Sequence, residues 1–208
     1  MEKKYWYLKS IIIILIFLMI FLLIFSINKE DFLWSFFTLI MIIISLIPTL
    51  IRHKIKIKIP YLFDIFISLA FIFHMGNGLL DISTNFSIYN KFTHFFSAVV
   101  VAFIFLNVIF IFNEYYRGIA VNKYKIMFDV IVITMAFGVV WEFMEWTSDF
   151  LFNLNAQPSL DDTMGDLFAD TLGGIFIALI GYFLINRGVL KRFSKDFKKH
   201  FNNLVEKD

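Results

Sequence analysis

Long apolar runs separated by short polar links dominate the chain. A helix needs roughly 20 mostly apolar residues to cross a bilayer core about 30 Å thick. Six stretches meet that requirement, at about 10–27, 32–51, 61–80, 92–112, 126–147 and 166–185. The first follows Met1-Glu2-Lys3-Lys4 as a signal peptide would, but it is too long for such a peptide's apolar region and no small-residue cleavage site follows, so it reads as a retained helix. The fold class expected is all-α, a polytopic transmembrane helical bundle forming a single integral membrane domain over residues 1–208.

Composition agrees. Hydrophobic residues make up 60% of the 208 and charged residues 17%, against about 45–50% and a quarter in soluble domains. The net charge of +2 supplies no global basic field for nucleic acid. The absence of Cys excludes disulfide scaffolds, thiolate metal sites and Cys nucleophiles.

The basic residues predict an orientation. Lys3, Lys4 and Lys9 precede the first span. Arg52, Lys54, Lys56 and Lys58 lie between spans two and three, and Arg117, Lys123 and Lys125 between four and five. The tail carries Arg187, Lys191, Arg192, Lys195, Lys198, Lys199 and Lys207, leaving only Lys29 and Lys91 on the opposite side. The positive-inside bias then places both termini in the cytoplasm, as an even number of spans requires. The alternating basic link at 51–60 reads as an ordinary topogenic loop. The tail, with Phe193, Phe197 and Phe201 at four-residue spacing, reads as an interfacial amphipathic helix.

Acidic residues crowd the other face: Glu30, Asp31, Asp81, Glu142, Glu145, Asp149, Asp161, Asp162, Asp166 and Asp170. Acidic residues contribute little to orientation, so topogenesis leaves this unexplained. Glu142 and Glu145 fall in the outer end of span five, Asp166 and Asp170 in that of span six, His94 in that of span four, and His74 in the outer half of span three. Each lies within roughly 10 Å of its helix end at 1.5 Å per residue. Ionisable groups at such depth are costly and by default mark a site facing a cavity or partner helix. Glu142, Glu145 and Asp149 share one helix face, as do Asp162, Asp166 and Asp170. Asp162 and Asp170 are about 12 Å apart along the axis, so both cannot hold one ion, whereas Asp166 and Asp170 can flank one and Glu142 and Glu145 can share one. Ser159-Leu160-Asp161-Asp162 has capping-box form, with Pro158 before it, so the sixth helix is expected to begin ahead of its apolar run.

Left unpaired, such carboxylates repel one another and take up protons; a divalent cation neutralises them. The metal candidates are therefore Glu142, Glu145, Asp166, Asp170 and His94, with Asp162, His74 and Asn90 secondary. Glu142, Asp166 and His94 are the candidates for catalytic roles. Oxygen ligands suit Mg²⁺, Ca²⁺ or Mn²⁺, and a His admits Zn²⁺. Such an ion at headgroup depth suits a lipid or lipid-linked envelope substrate. Trp141 and Trp146 read as aromatic-belt anchors. Asp64 and Asp129, near inner helix ends, read as interface groups or partners of nearby basic residues. The pairs Ala169/Gly173 and Gly174/Ala178 read as small-residue packing that holds Asp166 and Asp170 against other helices.

Three patches between about residues 90 and 181 carry a family resemblance: Lys91-Phe92-Thr93-His94-Phe95, Trp141-Glu142-Phe143-Met144-Glu145-Trp146, and the segment from Asp162 to Gly174 with Asp166, Ala169, Asp170 and Gly173. In order and spacing they resemble the VanZ-like, and more closely the YjdF-like, small bacterial membrane proteins. That group usually carries Asp where this chain has Asn90, and often Asn where it has Asp170. The resemblance implies a polytopic helical core at about 61–185 and a link to the cell envelope; it supplies no reaction. With the basic bias, 186–208 is expected as a cytoplasmic basic tail and the protein in the cytoplasmic (inner) membrane. Two other functions remain open: a cation- or proton-coupled transporter or channel, against which the apolar middles of the spans argue, and a non-catalytic membrane partner with a structural polar network.

Overall fold

The computed structural model describes residues 5–54, 59–80, 82, 87–116, 122–191, 194–195 and 197. The four N-terminal residues, the link at 55–58, Asp81, Arg117 and, in the tail, Arg192, Phe193, Lys198, Lys199, Phe201 and Lys207 lie outside them. Among the described residues six long helices follow in order: α1 (Trp6–Asn28), α2 (Phe32–Lys54), α3 (Tyr61–Leu80), α4 (Ser87–Tyr116), α5 (Lys123–Phe152) and α6 (Leu160–Asn186). All six are long and apolar enough to cross a membrane, and no strand occurs among the described residues. Phe17, Phe21, Phe128, Phe143, Phe168 and Phe183 stand exposed on the helices. Such surfaces suit lipid, where a helix satisfies its own backbone and its side chains need no water.

α3 has the limits the apolar pattern predicts, whereas α4 and α6 begin five and six residues early, at Ser87 and Leu160 rather than 92 and 166. An apolar run ends where lipid ends; a helix ends where a cap intervenes. The Ser159 hydroxyl accepts the Asp162 N–H at 3.2 Å, so the predicted cap is formed one turn and more ahead of the apolar run. Asn122 caps α5 in the same way, accepting from Tyr124 and Lys125. α5 closes on Asn153 in the left-handed conformation (φ 53°), which Asn tolerates better than most residues.

The chain divides into two compact units, with the boundary between Tyr89 and Asn90. In the first, α1, α2 and α3 pack together around Met19, Leu22, Met41, Ile42, Met75 and Leu79. Met75 to Gly78 continues the helix. Gly78 is there because Trp34 lies against its backbone: a Cβ would stand 1.8 Å from the indole. The ring of His74 packs on Trp34 with centroids 5.9 Å apart. Asp64 is fully buried and pairs with Arg52 and the Thr49 hydroxyl, and the Arg52 guanidinium lies over the Tyr61 ring.

In the second unit, α4, α5 and α6 meet at Ala102, Leu106, Phe110, Ile126, Val130 and Ile177. The small residues of α6 set its distance from its neighbours. Gly173 faces Ala98 and the Phe95 carbonyl of α4, where a Cβ would come within 2.7 Å, and Gly174 faces Thr134 of α5. In lipid, where no hydrophobic force drives helices together, this close fit supplies the attraction. It also brings the acidic turn just before these glycines against α4 and α5.

Candidate metal centre

α4 contributes His94, and α6 presents a carboxylate to each edge of its ring. Nδ1 lies 3.4 Å from Asp170 Oδ2, and Nε2 lies 3.8 Å from Asp166 Oδ1. The i, i+4 spacing of the two aspartates makes this possible, since they sit one above the other on the α6 face that carries Gly173 and Gly174. Gly138 of α5 leaves the space that Asp170 occupies; a Cβ there would be 2.4 Å from Oδ2. α5 adds Glu142, whose Oε1 is 4.0 Å from His94 Nδ1. His94, Glu142, Asp166 and Asp170 are all buried, at 5%, 4%, 0% and 5% exposure.

His94, Glu142 and Glu145 each present one ligand atom within 4.8 Å of the others, and this group could hold a metal ion. Bonds of about 2.0–2.2 Å to N and O at tetrahedral angles place ligand atoms about 3.4 Å apart, so side-chain shifts of about 1 Å complete the set. The hydrogen bonding favours it. Glu142 Oε2 accepts from the Gln157 amide at 2.6 Å, and Glu145 Oε1 from the Trp141 indole at 2.8 Å. The second oxygens, Glu142 Oε1 and Glu145 Oε2, are buried and accept nothing. Buried carboxylate oxygens without partners are rare because desolvation is then uncompensated.

The remaining candidates are placed differently. Asp162 receives Lys91 Nζ at 2.6 Å, and the same ammonium lies 3.0 Å from Asp166 Oδ1. Asn90 donates to Asp166 Oδ2 at 2.9 Å and so supports a carboxylate. Asp149, which shares the Glu142 face, accepts the Ala156 and Gln157 N–H groups at 2.7 and 2.8 Å and so fixes the link that carries Gln157 to Glu142. His74 belongs to the first unit. Trp141, expected as a belt anchor, is tied to Glu145, while Trp146 is exposed and stacked on Phe150. Asp129 pairs with Lys125 one turn away, as expected.

Two polar neighbours of these residues, Lys91 and Gln157, were not among the site residues expected from the sequence. Lys91 was visible as the one basic residue three positions before the buried His; Gln157 had no signal, because a link residue's reach is set by the turn that Asp149 ties down.

The chain belongs to the family described as "Predicted membrane protein (DUF2238)", which it matches over residues 10–187. It is also similar to an "Uncharacterized protein" of Thermotoga maritima, 32% identical over 103 residues, covering 45% of this chain and 47% of that protein. The chain thus spans about half the length of that curated relative. No solved structure matches it.

Proposed function

We propose that this member of the DUF2238 membrane-protein family holds one divalent cation among His94, Glu142 and Glu145, with Asp166 and Asp170 at the two edges of the imidazole. The loaded site binds or processes an envelope lipid or lipid-linked intermediate. The observation that carries this reading is the pair of buried, unpartnered oxygens on Glu142 and Glu145 beside His94. An imidazole with two carboxylates suits Mn²⁺ or Zn²⁺ better than Mg²⁺ or Ca²⁺, which favour oxygen alone. When bound, such an ion polarises a phosphoryl or carbonyl oxygen or activates water. Glu142, Asp166 and His94 are the groups placed to bind the ion or to hold a proton beside it.

The basic-residue bias supports an outward-facing site in the cytoplasmic membrane with both termini inside, the chain acting as one integral membrane domain. The likeness to VanZ-like and YjdF-like proteins supports a role at the envelope. A structural polar network is the second reading, favoured by the bonds from Asn90 and Lys91 to Asp166. Elemental analysis of the purified protein separates the two. Wild type is expected to carry one divalent ion per chain, and Glu142→Ala with Glu145→Ala to carry none. A metal-free wild type, or unchanged metal in the double variant, overturns the proposal.

A further inference from the structure

The carboxylate cluster extends beyond the three residues just described, and its far half already holds a positive charge. Lys91 Nζ lies 2.6 Å from Asp162 Oδ1, 2.9 Å from the Asp162 carbonyl and 3.0 Å from Asp166 Oδ1. Three oxygens from one helix face thus surround one nitrogen. Asn90 bonds the other oxygen of Asp166, turning Oδ1 towards the ammonium. The arrangement depends on Gly165: a Cβ there would stand 2.8 Å from Lys91 Cε and 3.3 Å from Nζ. Asp162 keeps 18% of its side chain exposed, so water reaches this half of the cluster.

We propose that Lys91 is a tethered cation that fills the second of two cation positions in the cluster, so that the site accepts one divalent ion where its acids would otherwise accept two. The inference rests on the metal-binding reading above and extends it to how many ions the site takes. The chemistry is that of the donor set. Two carboxylate oxygens and a backbone carbonyl, with water at hand, are the ligands that Mg²⁺, Ca²⁺ and Mn²⁺ take, often keeping several waters. An ammonium meets the same oxygens with a single charge, donating to Asp162 and lying 3.0 Å from Asp166 Oδ1, and cannot leave. Charge points the same way. Glu142, Glu145, Asp162, Asp166 and Asp170 converge here, and Lys91 is the Lys or Arg that the ion pairs place among them. Its removal deepens the negative field and frees three oxygen ligands at once.

The test counts ions. Full-length protein in detergent is equilibrated with Mn²⁺ at one fixed free concentration, and manganese per chain is measured for wild type, Lys91→Ala, Lys91→Met and Lys91→Arg. The Ala and Met variants are expected to bind one ion more than wild type, and the Arg variant the same number. Lys91→Met keeps the stem over Gly165 and gives a folded protein should the Ala variant precipitate. Adding Asp162→Asn to Lys91→Met is expected to remove the extra ion and so locate it. Equal counts in wild type and both neutral variants overturn the tethered cation, even where wild type binds one ion and the three-ligand site stands. No ion in wild type but one in the neutral variants overturns the three-ligand site and leaves the tethered cation standing.

Discussion

Gly138 offers a sharp test of how the site is assembled. A methyl group there would lie 2.4 Å from Asp170 Oδ2 and 3.1 Å from its Cβ. Ordinary contact begins near 3.4 Å, so the carboxylate of Gly138→Ala must retreat by about 1 Å, out of reach of His94 Nδ1 at 3.4 Å. Overpacking of this kind costs about 1–3 kcal/mol, and losing a hydrogen bond to a charged group about 1.5–3 kcal/mol. Ala gains roughly 1 kcal/mol over Gly in a helix interior. The net expectation is a loss of about 2–4 kcal/mol. In an Asp170→Ala background the oxygen is gone and only the 3.1 Å Cβ contact remains. The residual strain and the helix gain then cancel to within about 1 kcal/mol. Reversible unfolding in mixed micelles with rising SDS gives all four stabilities. The expected coupling between the two positions is about 2 kcal/mol or more, well above the scatter of independent sites. A Gly138→Ala variant as stable as wild type, or equally destabilised in both backgrounds, would refute the claim that α5 is notched to receive this carboxylate.

The same assay applies in the first unit. Gly78→Ala is expected to be more damaging than Gly138→Ala, since its Cβ would stand 1.8 Å from the Trp34 indole, and Trp34→Ala is expected to restore part of the loss; additive losses would count against this packing. Asp64→Ala strands Arg52 beside a fully buried position and is expected to cost about 3 kcal/mol, the lower end for a broken buried pair because Arg52 keeps 16% exposure; an unchanged unfolding midpoint would show the pair to be inert. Chelator treatment is expected to lower wild-type stability by about 3 kcal/mol at an ion concentration a hundredfold above Kd, and to leave Glu142→Ala with Glu145→Ala unmoved; equal shifts in both proteins would point to metal bound elsewhere. Because the chain has no Cys, single cysteines report orientation cleanly: Asn155→Cys is expected to react with an impermeant maleimide in intact cells and Asn122→Cys only after lysis, and the reverse pattern would invert the proposed topology.

The helices and most of the candidate site were legible because both depend on local spacing. An apolar run long enough to cross lipid admits one secondary structure, and carboxylates at i, i+4 must share a face, so Asp166 and Asp170 could be paired before any contact was known. Which groups meet across helices was less legible. Asp166 and Asp170 were read as able to flank an ion, and the helix spacing alone did not reveal that they lie at the two edges of an imidazole. That outcome depends on the depth at which α4 docks, which Gly173 and Ala98 decide by contact. Lys91 was read as a topology signal and as the head of a resemblance patch, and nothing in its spacing revealed that Gly165 clears a path for its stem. The reason for a glycine at position 78 was hidden in the same way: it is there to receive Trp34.

The hydrogen bonds sort the acids into two kinds, and the sorting is what favours a ligand site over a purely structural network. Asp149 spends both oxygens on the N–H groups of the link, Asp162 has Lys91, and Asp166 has Asn90 on one oxygen and Lys91 and His94 near the other. The oxygens of these acids thus face protein donors or the Lys91 ammonium, although Asp166 Oδ1 itself makes no hydrogen bond. Glu142 and Glu145 are each held by one oxygen, through Gln157 and Trp141, with the other oxygen buried and left over. A network whose only purpose was cohesion would gain by satisfying those two atoms or by replacing them with apolar groups, because an unpaired buried oxygen costs about 1–3 kcal/mol and more when charged. Two such atoms on consecutive turns of one helix, beside an imidazole from another, are what a site built to be completed from outside would keep.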